Sequence, residues 1–202
     1  MKTENPSGES PDIEIIIPGW TANAGAFILF LILAIVGGAV FSYCWNIAET
    51  INSFRDFLTN YIALFVALIL GMIAHEGAHM MVWAMYCKQG FRSVKPGFSV
   101  KNLSPYVHCS EFLKRGPFLA GALAPFVLTG LAPLVFGIIS GSGWWFWLGA
   151  FLGAGAAGDI YSALRLLKFD SSVMVLDHPA HLGFIIKTSQ GCGDQNIASP
   201  TL

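Results

Sequence analysis

The most regular feature of the sequence is a series of four long apolar stretches that contain very few charged side chains. A helix of about 20 apolar residues can cross the hydrocarbon core of a bilayer. The pattern therefore predicts an all-α integral membrane protein with four transmembrane helices, at residues 24–43, 61–86, 118–139 and 144–167. These helices divide the chain into an N-terminal segment (1–19), a transmembrane domain (20–167) and a C-terminal tail (168–202).

A polar loop, residues 87–117, separates the second and third predicted helices. Within it, apolar and polar residues alternate in residues 91–94 and 98–101, on either side of Lys95-Pro96-Gly97. Such alternation around a Pro-Gly pair predicts a small β-hairpin. The exposed edge of this hairpin is either a place where an unwound substrate segment pairs as an added strand or part of a small solvated hairpin with no such role.

Basic residues are distributed very unequally between the two sides of the predicted bundle. Arg55 alone lies on one side, and ten lie on the other: Lys2, Lys88, Arg92, Lys95, Lys101, Lys114, Arg115, Arg165, Lys168 and Lys187. Lys and Arg are enriched in cytoplasmic loops of membrane proteins. The sequence therefore predicts a multi-pass protein of the cell membrane with both termini and the 87–117 loop in the cytoplasm.

Composition narrows the range of partners. Of 202 residues, 54% are hydrophobic and only 11% are charged, and the net charge is −1. A nucleic-acid-binding protein needs a basic surface that this chain lacks, so we expect the lipid bilayer as a partner and no nucleic acid. The four cysteines show no paired spacing, which argues against a disulfide framework. The sequence gives no indication of oligomeric state.

The second apolar stretch contains His75-Glu76-Gly77-Ala78-His79, an H-E-x-x-H motif. Residues four apart lie on one face of a helix, so two imidazoles can bind one Zn²⁺ ion while Glu76 lies beside it as a general base. Ionisable side chains inside a membrane are costly and are usually functional. The alternative is that the two histidines serve as hydrogen-bonding contacts between helices.

Asp159 in the fourth apolar stretch is the predicted third ligand. The midpoint between His75 and His79 lies about 3.5 residues, or about 5 Å, to the cytoplasmic side of the centre of the second predicted helix. Asp159 lies at the same distance to the cytoplasmic side of the centre of the fourth. Glycines and alanines around Asp159 allow a close approach between helices, although ordinary packing explains them equally well.

Three further residues are possible supporting members of the site. His108 precedes the third predicted helix, and Asp177-His178-Pro179 lies in the tail. His108, His178 and also His181 are each either an alternative ligand or a solvated or capping residue, and Asp177-His178-Pro179 is equally compatible with a simple turn.

Together these motifs resemble the putative zincin peptidase family of small multi-pass bacterial membrane proteins, which is related in its logic to site-2 intramembrane metalloproteases. The resemblance covers about residues 56–186 and includes Pro105-Tyr106-Val107-His108-Cys109 and Gly158-Asp159-Ile160. It implies His75 and His79 as zinc ligands, Glu76 as the catalytic acid and base, and Asp159 as the aspartate of a later helix. The chain departs from site-2 proteases in lacking an Asn-Pro-Asp-Gly sequence at Asp159.

The sequence thus leads to two hypotheses from different classes. The first is a membrane-embedded zinc metallopeptidase that hydrolyses membrane or membrane-proximal protein or peptide substrates near the cytoplasmic leaflet. The second is a non-enzymatic metal-binding membrane protein, such as an inactive relative, a sensor or a carrier. Glu76 discriminates between them, because a site that only binds a metal does not need a general base that is not itself a metal ligand. A purely structural membrane anchor would leave the buried ionisable residues unexplained.

Overall fold

The computed structural model describes residues 12–99, 104–179 and 181–187. The first eleven residues of the predicted N-terminal segment and the end of the predicted tail lie outside this part. Within the described residues, three helices are long and apolar enough to cross a membrane: α1 (Gly19–Trp45), α3 (Tyr61–Tyr86) and α4 (Arg115–Ser140). Large apolar side chains such as Phe27, Ile62 and Phe65 are exposed on their outer faces, as lipid contact requires.

The predicted fold of four transmembrane helices with a single hairpin is wrong. The fourth apolar stretch is divided at Ala156 into two short helices, α5 (Gly143–Gly155) and α6 (Ala157–Leu166). The surrounding glycines are weak helix formers, and the Ala156 N–H bonds to the Gly153 carbonyl oxygen in a tightened turn. Hydropathy was misleading because α5 is apolar through burial among other helices, with Phe146 and Ala150 fully buried.

Backbone-to-backbone contact holds α5 against α4. A Cβ atom added to Gly130 would lie 2.5 Å from the Gly153 Cα atom, and one added to Gly149 would lie 2.4 Å from the Leu134 backbone nitrogen. Only glycine permits so close an approach, which increases the van der Waals contact between membrane helices. The small residues of this stretch therefore do pack helices together.

A further helix, α2 (Ile47–Thr59), joins α1 to α3. Asn46 precedes it with a φ of 83°, and its side-chain oxygen accepts a hydrogen bond from the Glu49 N–H at 3.0 Å. The side chain of Asn46 thus caps the helix N-terminus, while its backbone lies at a positive φ that Asn adopts more readily than most residues. The helix is amphipathic: Phe57 is buried, whereas the charged Glu49 and Arg55 are exposed.

The structure contains a four-stranded antiparallel sheet that the sequence analysis did not predict. Its order is β1–β6–β5–β4, and its strands are β1 (Ile13–Ile16), β4 (Leu113–Lys114), β5 (Met174–Asp177) and β6 (Gly183–Lys187). The strands are short and come from three distant segments of the chain, so no local alternation of apolar and polar residues predicts them. Val175, Phe184 and Ile186 are buried where this sheet packs on the helix ends.

The hairpin lies in the predicted loop but not at the predicted residues. Strands β2 (Val94–Ser99) and β3 (Ser104–Cys109) pair antiparallel, with Val94 opposite Cys109. Residues 91–93 belong to a 3₁₀ turn (Gly90–Ser93), and Lys95-Pro96-Gly97 lies inside β2. The predicted turn is therefore wrong. Gly97 is instead covered by the Tyr106 ring, whose Cζ atom would lie 2.4 Å from an added Cβ, a common reason for glycine in a strand.

Candidate metal centre

Two helices bring three potential metal ligands together. His75 and His79 lie one turn apart on α3, and Asp159 lies in the first turn of α6. The His75 Nε2 atom is 3.2 Å from Asp159 Oδ2, and His79 Nε2 is 3.5 Å from Asp159 Oδ1. One potential ligand atom from each residue lies within 4.8 Å of the other two. These are the three residues that the sequence predicted as ligands, and their binding of a metal stays a prediction.

The spacing of these atoms suits zinc. Tetrahedral Zn²⁺ with bonds of about 2.0–2.1 Å to nitrogen and oxygen holds neighbouring donor atoms about 3.3 Å apart. The distances from His75 Nε2 to Asp159 Oδ2 and from His79 Nε2 to Asp159 Oδ1 lie on either side of that value, each to a different oxygen of the carboxylate. Two imidazoles and one carboxylate also form a common donor set of catalytic zinc sites, which use three protein ligands and leave the fourth position open.

A set of contacts around His79 fixes its ring. The Nδ1 atom donates a hydrogen bond to the Gly121 carbonyl oxygen of α4 at 2.9 Å. The ring also stacks on Trp83 at 5.0 Å between centroids, and the Trp83 Nε1–H donates to the Phe118 carbonyl oxygen at 3.2 Å. With its proton on Nδ1, a neutral His79 directs an unprotonated Nε2 towards Asp159.

Sequence analysis missed Gly121 and Trp83 as parts of this site. Trp83 could have been found, since it follows His79 by four residues and so lies on the same face of α3. Gly121 carries no such signal, because its role depends on how α4 packs against α3. A Cβ atom at Gly121 would lie 2.1 Å from the Trp83 ring.

Glu76 lies between the potential ligands and the hairpin. It interacts electrostatically with His75, His79 and Asp159, and the Val107 backbone N–H of β3 faces its carboxylate. Strand β3 therefore passes directly beside the H-E-x-x-H motif. Glu76 also lines a cavity of about 920 Å³ together with all three potential ligands.

This cavity connects several elements of the fold. In addition to α3 and α6, its walls come from the start of α1, from β3 and from residues 177–179 and 181–183. Its volume lies at the upper end of the range for small-molecule and peptide sites. Polar side chains from different elements converge on it, including Asn23, His108, Ser162 and His181.

The predicted supporting residues His108 and Asp177 form a pair on the cavity wall. The His108 Nδ1 atom lies 3.1 Å from Asp177 Oδ2, and the Cys109 backbone N–H donates to the same oxygen at 3.3 Å. Burial raises the pKa of Asp177, and the hydrogen bond from His108 opposes that effect. The pair joins β3 to the end of β5.

His178 has partners of its own outside the three-ligand group. Its Nε2 atom pairs with the Glu14 carboxylate of β1, and its Nδ1 atom accepts a hydrogen bond from the His181 backbone N–H at 2.8 Å. Both ring nitrogens are thus engaged in joining β1 to the loop before β6. Among the described residues, the structure groups Asp159 and not His178 with His75 and His79.

Comparison with known proteins agrees with this chemistry. The profile of the family described as putative zincin peptidase matches residues 68–174, just over half of the chain. The chain belongs to this family, as the resemblance predicted. Membership supports a metallopeptidase-type function and zinc as the metal. No curated protein and no solved structure matches the chain.

Proposed function

We propose that the protein is a membrane-embedded zinc metallopeptidase in which His75, His79 and Asp159 bind the metal and Glu76 is the catalytic acid and base. The observation that carries the proposal is the convergence of the two His Nε2 atoms and the Asp159 carboxylate within 4.8 Å, beside Glu76. A site that served only to hold a metal would not need the nearby carboxylate.

Zinc, when bound, supplies a lowered pKa for an attacking water and polarisation of the peptide carbonyl. Glu76 accepts a proton from the water as its oxygen bonds to the carbonyl carbon. When the carbon–nitrogen bond breaks, Glu76 returns that proton to the amine nitrogen. His79 holds its ring orientation throughout, because the Gly121 carbonyl oxygen accepts a hydrogen bond from its Nδ1 and the Trp83 ring stacks on its face.

The sheet supports a cytoplasmic location of the site. Strand β1 precedes α1, β4 precedes α4, and β5 and β6 follow α6, yet all four strands form one sheet. All these connections therefore lie at the same end of the helices. That end also carries the 87–117 loop, in which Lys and Arg are frequent, and such loops are typically cytoplasmic.

The outer edge of β3 is the proposed binding strand for an extended substrate. Because the Ser110 N–H donates to the Ser93 carbonyl oxygen, the alternating antiparallel pattern turns the backbone groups of Val107 and Cys109 away from β2. Their N–H groups face Glu76 and Asp177, so an added strand would donate its own N–H groups to their carbonyl oxygens. Val107 then presents its backbone to the cavity beside Glu76. A peptide that added as a strand would place its backbone along the metal site. A membrane helix must unwind locally before it can bind in this way.

The decisive experiment compares zinc content and hydrolysis in detergent-purified protein. Glu76→Gln should retain zinc and lose hydrolysis of fluorescein-labelled casein, and Glu49→Gln, an exposed acid on α2, is the matched control. Casein is chosen because its unfolded chain supplies extended segments. Retained zinc with undiminished hydrolysis in Glu76→Gln would refute the proposed mechanism. Zinc binding with no hydrolysis in the unsubstituted protein, of casein or of co-expressed membrane proteins, would favour the non-enzymatic alternative.

A further inference from the structure

The proposed reaction needs a hydrogen-bond donor for the negative charge that develops on the substrate carbonyl oxygen. Zinc meets part of this need, and a preorganised protein donor usually adds to it. A suitable donor must lie on the wall of the same cavity as Glu76, must be held in a fixed orientation and must keep one polar atom directed at the cavity. The polar side chains of the cavity wall can be compared by these three requirements.

The geometry points to His108 as this donor and to Asp177 as the residue that positions it. This inference rests on the proposed peptidase function. His108 lies on β3 directly after Val107, whose N–H faces Glu76, and its side chain lines the same cavity as the metal ligands. Asp177 lies close enough to the metal site to interact electrostatically with His79.

The ring of His108 is oriented by its contact at one nitrogen only. Nδ1 lies 3.1 Å from Asp177 Oδ2, and the two nitrogens of an imidazole lie on different edges of the ring. Nε2 is therefore the atom that remains for a substrate. Nε2 is the ring atom through which His108 can donate an N–H hydrogen bond to a group in the cavity.

Asp177 is itself fixed, and this distinguishes the pair from a surface histidine. The Cys109 N–H donates to the same carboxylate oxygen that contacts His108, and β5 anchors Asp177 through its pairing with Phe184 of β6. The side chains of His108 and Asp177 are only 20% and 17% exposed. In a site of this low exposure, a hydrogen bond to a developing charge is stronger than in water.

Other polar groups of the cavity meet the requirements less well. Tyr106 lies on the same strand, but its ring covers Gly97 of β2 and the residue is about half exposed. His181 is exposed. His178 is engaged by Glu14 and by the His181 backbone. His108 combines a fixed ring with a nitrogen that is available to the cavity.

The step that His108 assists is balanced as follows. The water oxygen forms a bond to the carbonyl carbon, its proton passes to Glu76, and the π electrons of the carbonyl bond move to the carbonyl oxygen. The His108 Nε2–H donates a hydrogen bond to that oxygen without transferring its proton. When the carbonyl bond reforms, the carbon–nitrogen bond breaks and the nitrogen receives the proton from Glu76.

The test uses two inhibitors of one peptide sequence on the zinc-loaded full chain. A peptide phosphonamidate has a tetrahedral anionic centre that mimics the charged carbonyl adduct, whereas the corresponding hydroxamate binds mainly through the metal. His108→Ala should weaken phosphonamidate binding by about 10²- to 10³-fold, the usual effect of removing such a donor. Hydroxamate affinity and zinc content should change little, and kcat for casein should fall with little change in KM.

Three further variants complete the experiment. Lys95→Ala, an exposed residue opposite His108 on β2 and outside the cavity lining, is the matched control and should leave both inhibitors unaffected. Asp177→Asn should weaken the phosphonamidate selectively but less than His108→Ala, because it alters the position of the donor without removing it. His108→Gln, which retains an amide N–H, should recover part of the affinity and replaces His108→Ala if that variant does not fold.

The outcomes separate this inference from the proposed function. Equal weakening of both inhibitors in His108→Ala and His108→Gln would indicate a structural role and overturn the inference, as would unchanged binding of both. If the unsubstituted protein binds zinc but Glu76→Gln keeps full hydrolysis, the proposed mechanism is refuted, and so is the inference, which depends on it. Loss of hydrolysis in Glu76→Gln without a selective effect at His108 refutes the inference alone.

Discussion

The His79 imidazole donates a hydrogen bond through Nδ1 to the backbone carbonyl oxygen of Gly121, over 2.9 Å. A carbonyl oxygen only accepts hydrogen bonds, so this contact fixes the proton on Nδ1 and leaves Nε2 unprotonated in the neutral ring. Contacts of this kind are typical of histidines that ligate metals. Here the acceptor belongs to a neighbouring helix, so the packing of α4 against α3 determines the orientation of the proposed ligand.

Gly121→Ala should therefore disturb the metal site from outside it. The new Cβ atom would lie 2.1 Å from the buried Trp83 ring that stacks on His79, so the ring must shift. We expect zinc affinity to fall by about 10- to 100-fold and the free energy of unfolding to fall by about 1–3 kcal/mol, measured by chelator competition and by thermal unfolding. Gly116→Ala on the same helix, where an added Cβ meets nothing within 4 Å, is the control. Equal zinc affinity in both variants would contradict the proposed coupling.

Local sequence signals predicted much of the site but less of the fold. His75, Glu76 and His79 are recognisable because the H-E-x-x-H spacing brings them together within one helical turn. Asp159 is recognisable because a carboxylate in an apolar stretch is costly and is therefore usually functional. The break at Ala156 was not predictable from hydropathy, since burial among helices and exposure to lipid select the same apolar residues. The four-stranded sheet depends on pairings such as Ile13 with Ile186, which no local pattern encodes.

Topology can be tested with reporter fusions. Fusions near residues 50 and 142 should report the outside, and fusions near residues 10, 100 and 190 the cytoplasm, because basic residues concentrate on that side. The shared sheet of β1, β4, β5 and β6 requires the segments next to these strands to behave alike. A cytoplasmic signal at residue 50, or an external signal at residue 100, would invert the proposed location of the site.

Strand addition at β3 predicts a periodic response to peptide methylation. We expect N-methylation of a peptide hydroxamate inhibitor to weaken binding at every second position, since alternate N–H groups of an added strand face β3. The measurement is a series of inhibitors that each carry one N-methyl group. Methylation at the intervening positions is the internal control. A uniform response along the peptide would show that the backbone does not pair with this edge.

The thiol of Cys109 should be almost unreactive in the folded protein. Burial raises its pKa to about 12, well above the ordinary thiol value of about 8.5. This lowers the thiolate fraction at pH 8 by about a thousandfold or more, and only the thiolate reacts with iodoacetamide. Mass spectrometry of digested protein should show slow alkylation of Cys109 before denaturation and rapid alkylation afterwards. If the folded and denatured proteins are alkylated at the same rate, β3 does not have the buried setting that positions His108.

The choice between Asp159 and His178 as the third ligand has a direct test. Asp159 approaches both His75 and His79, whereas His178 has Glu14 and the His181 backbone as partners. Asp159→Ala should therefore lower bound zinc about as much as His75→Ala, because either change leaves two of three protein ligands.

His178→Ala is the matched control in that experiment. It removes the contact of His178 with Glu14, which joins β1 to the loop before β6, so it should lower thermal stability while zinc per folded protein stays near that of the unsubstituted chain. Metal analysis of the folded fraction separates these effects. Full zinc occupancy in Asp159→Ala together with zinc loss in His178→Ala would identify His178 as the third ligand. The 3.2 Å contact between His75 and Asp159 would then be a hydrogen bond between helices.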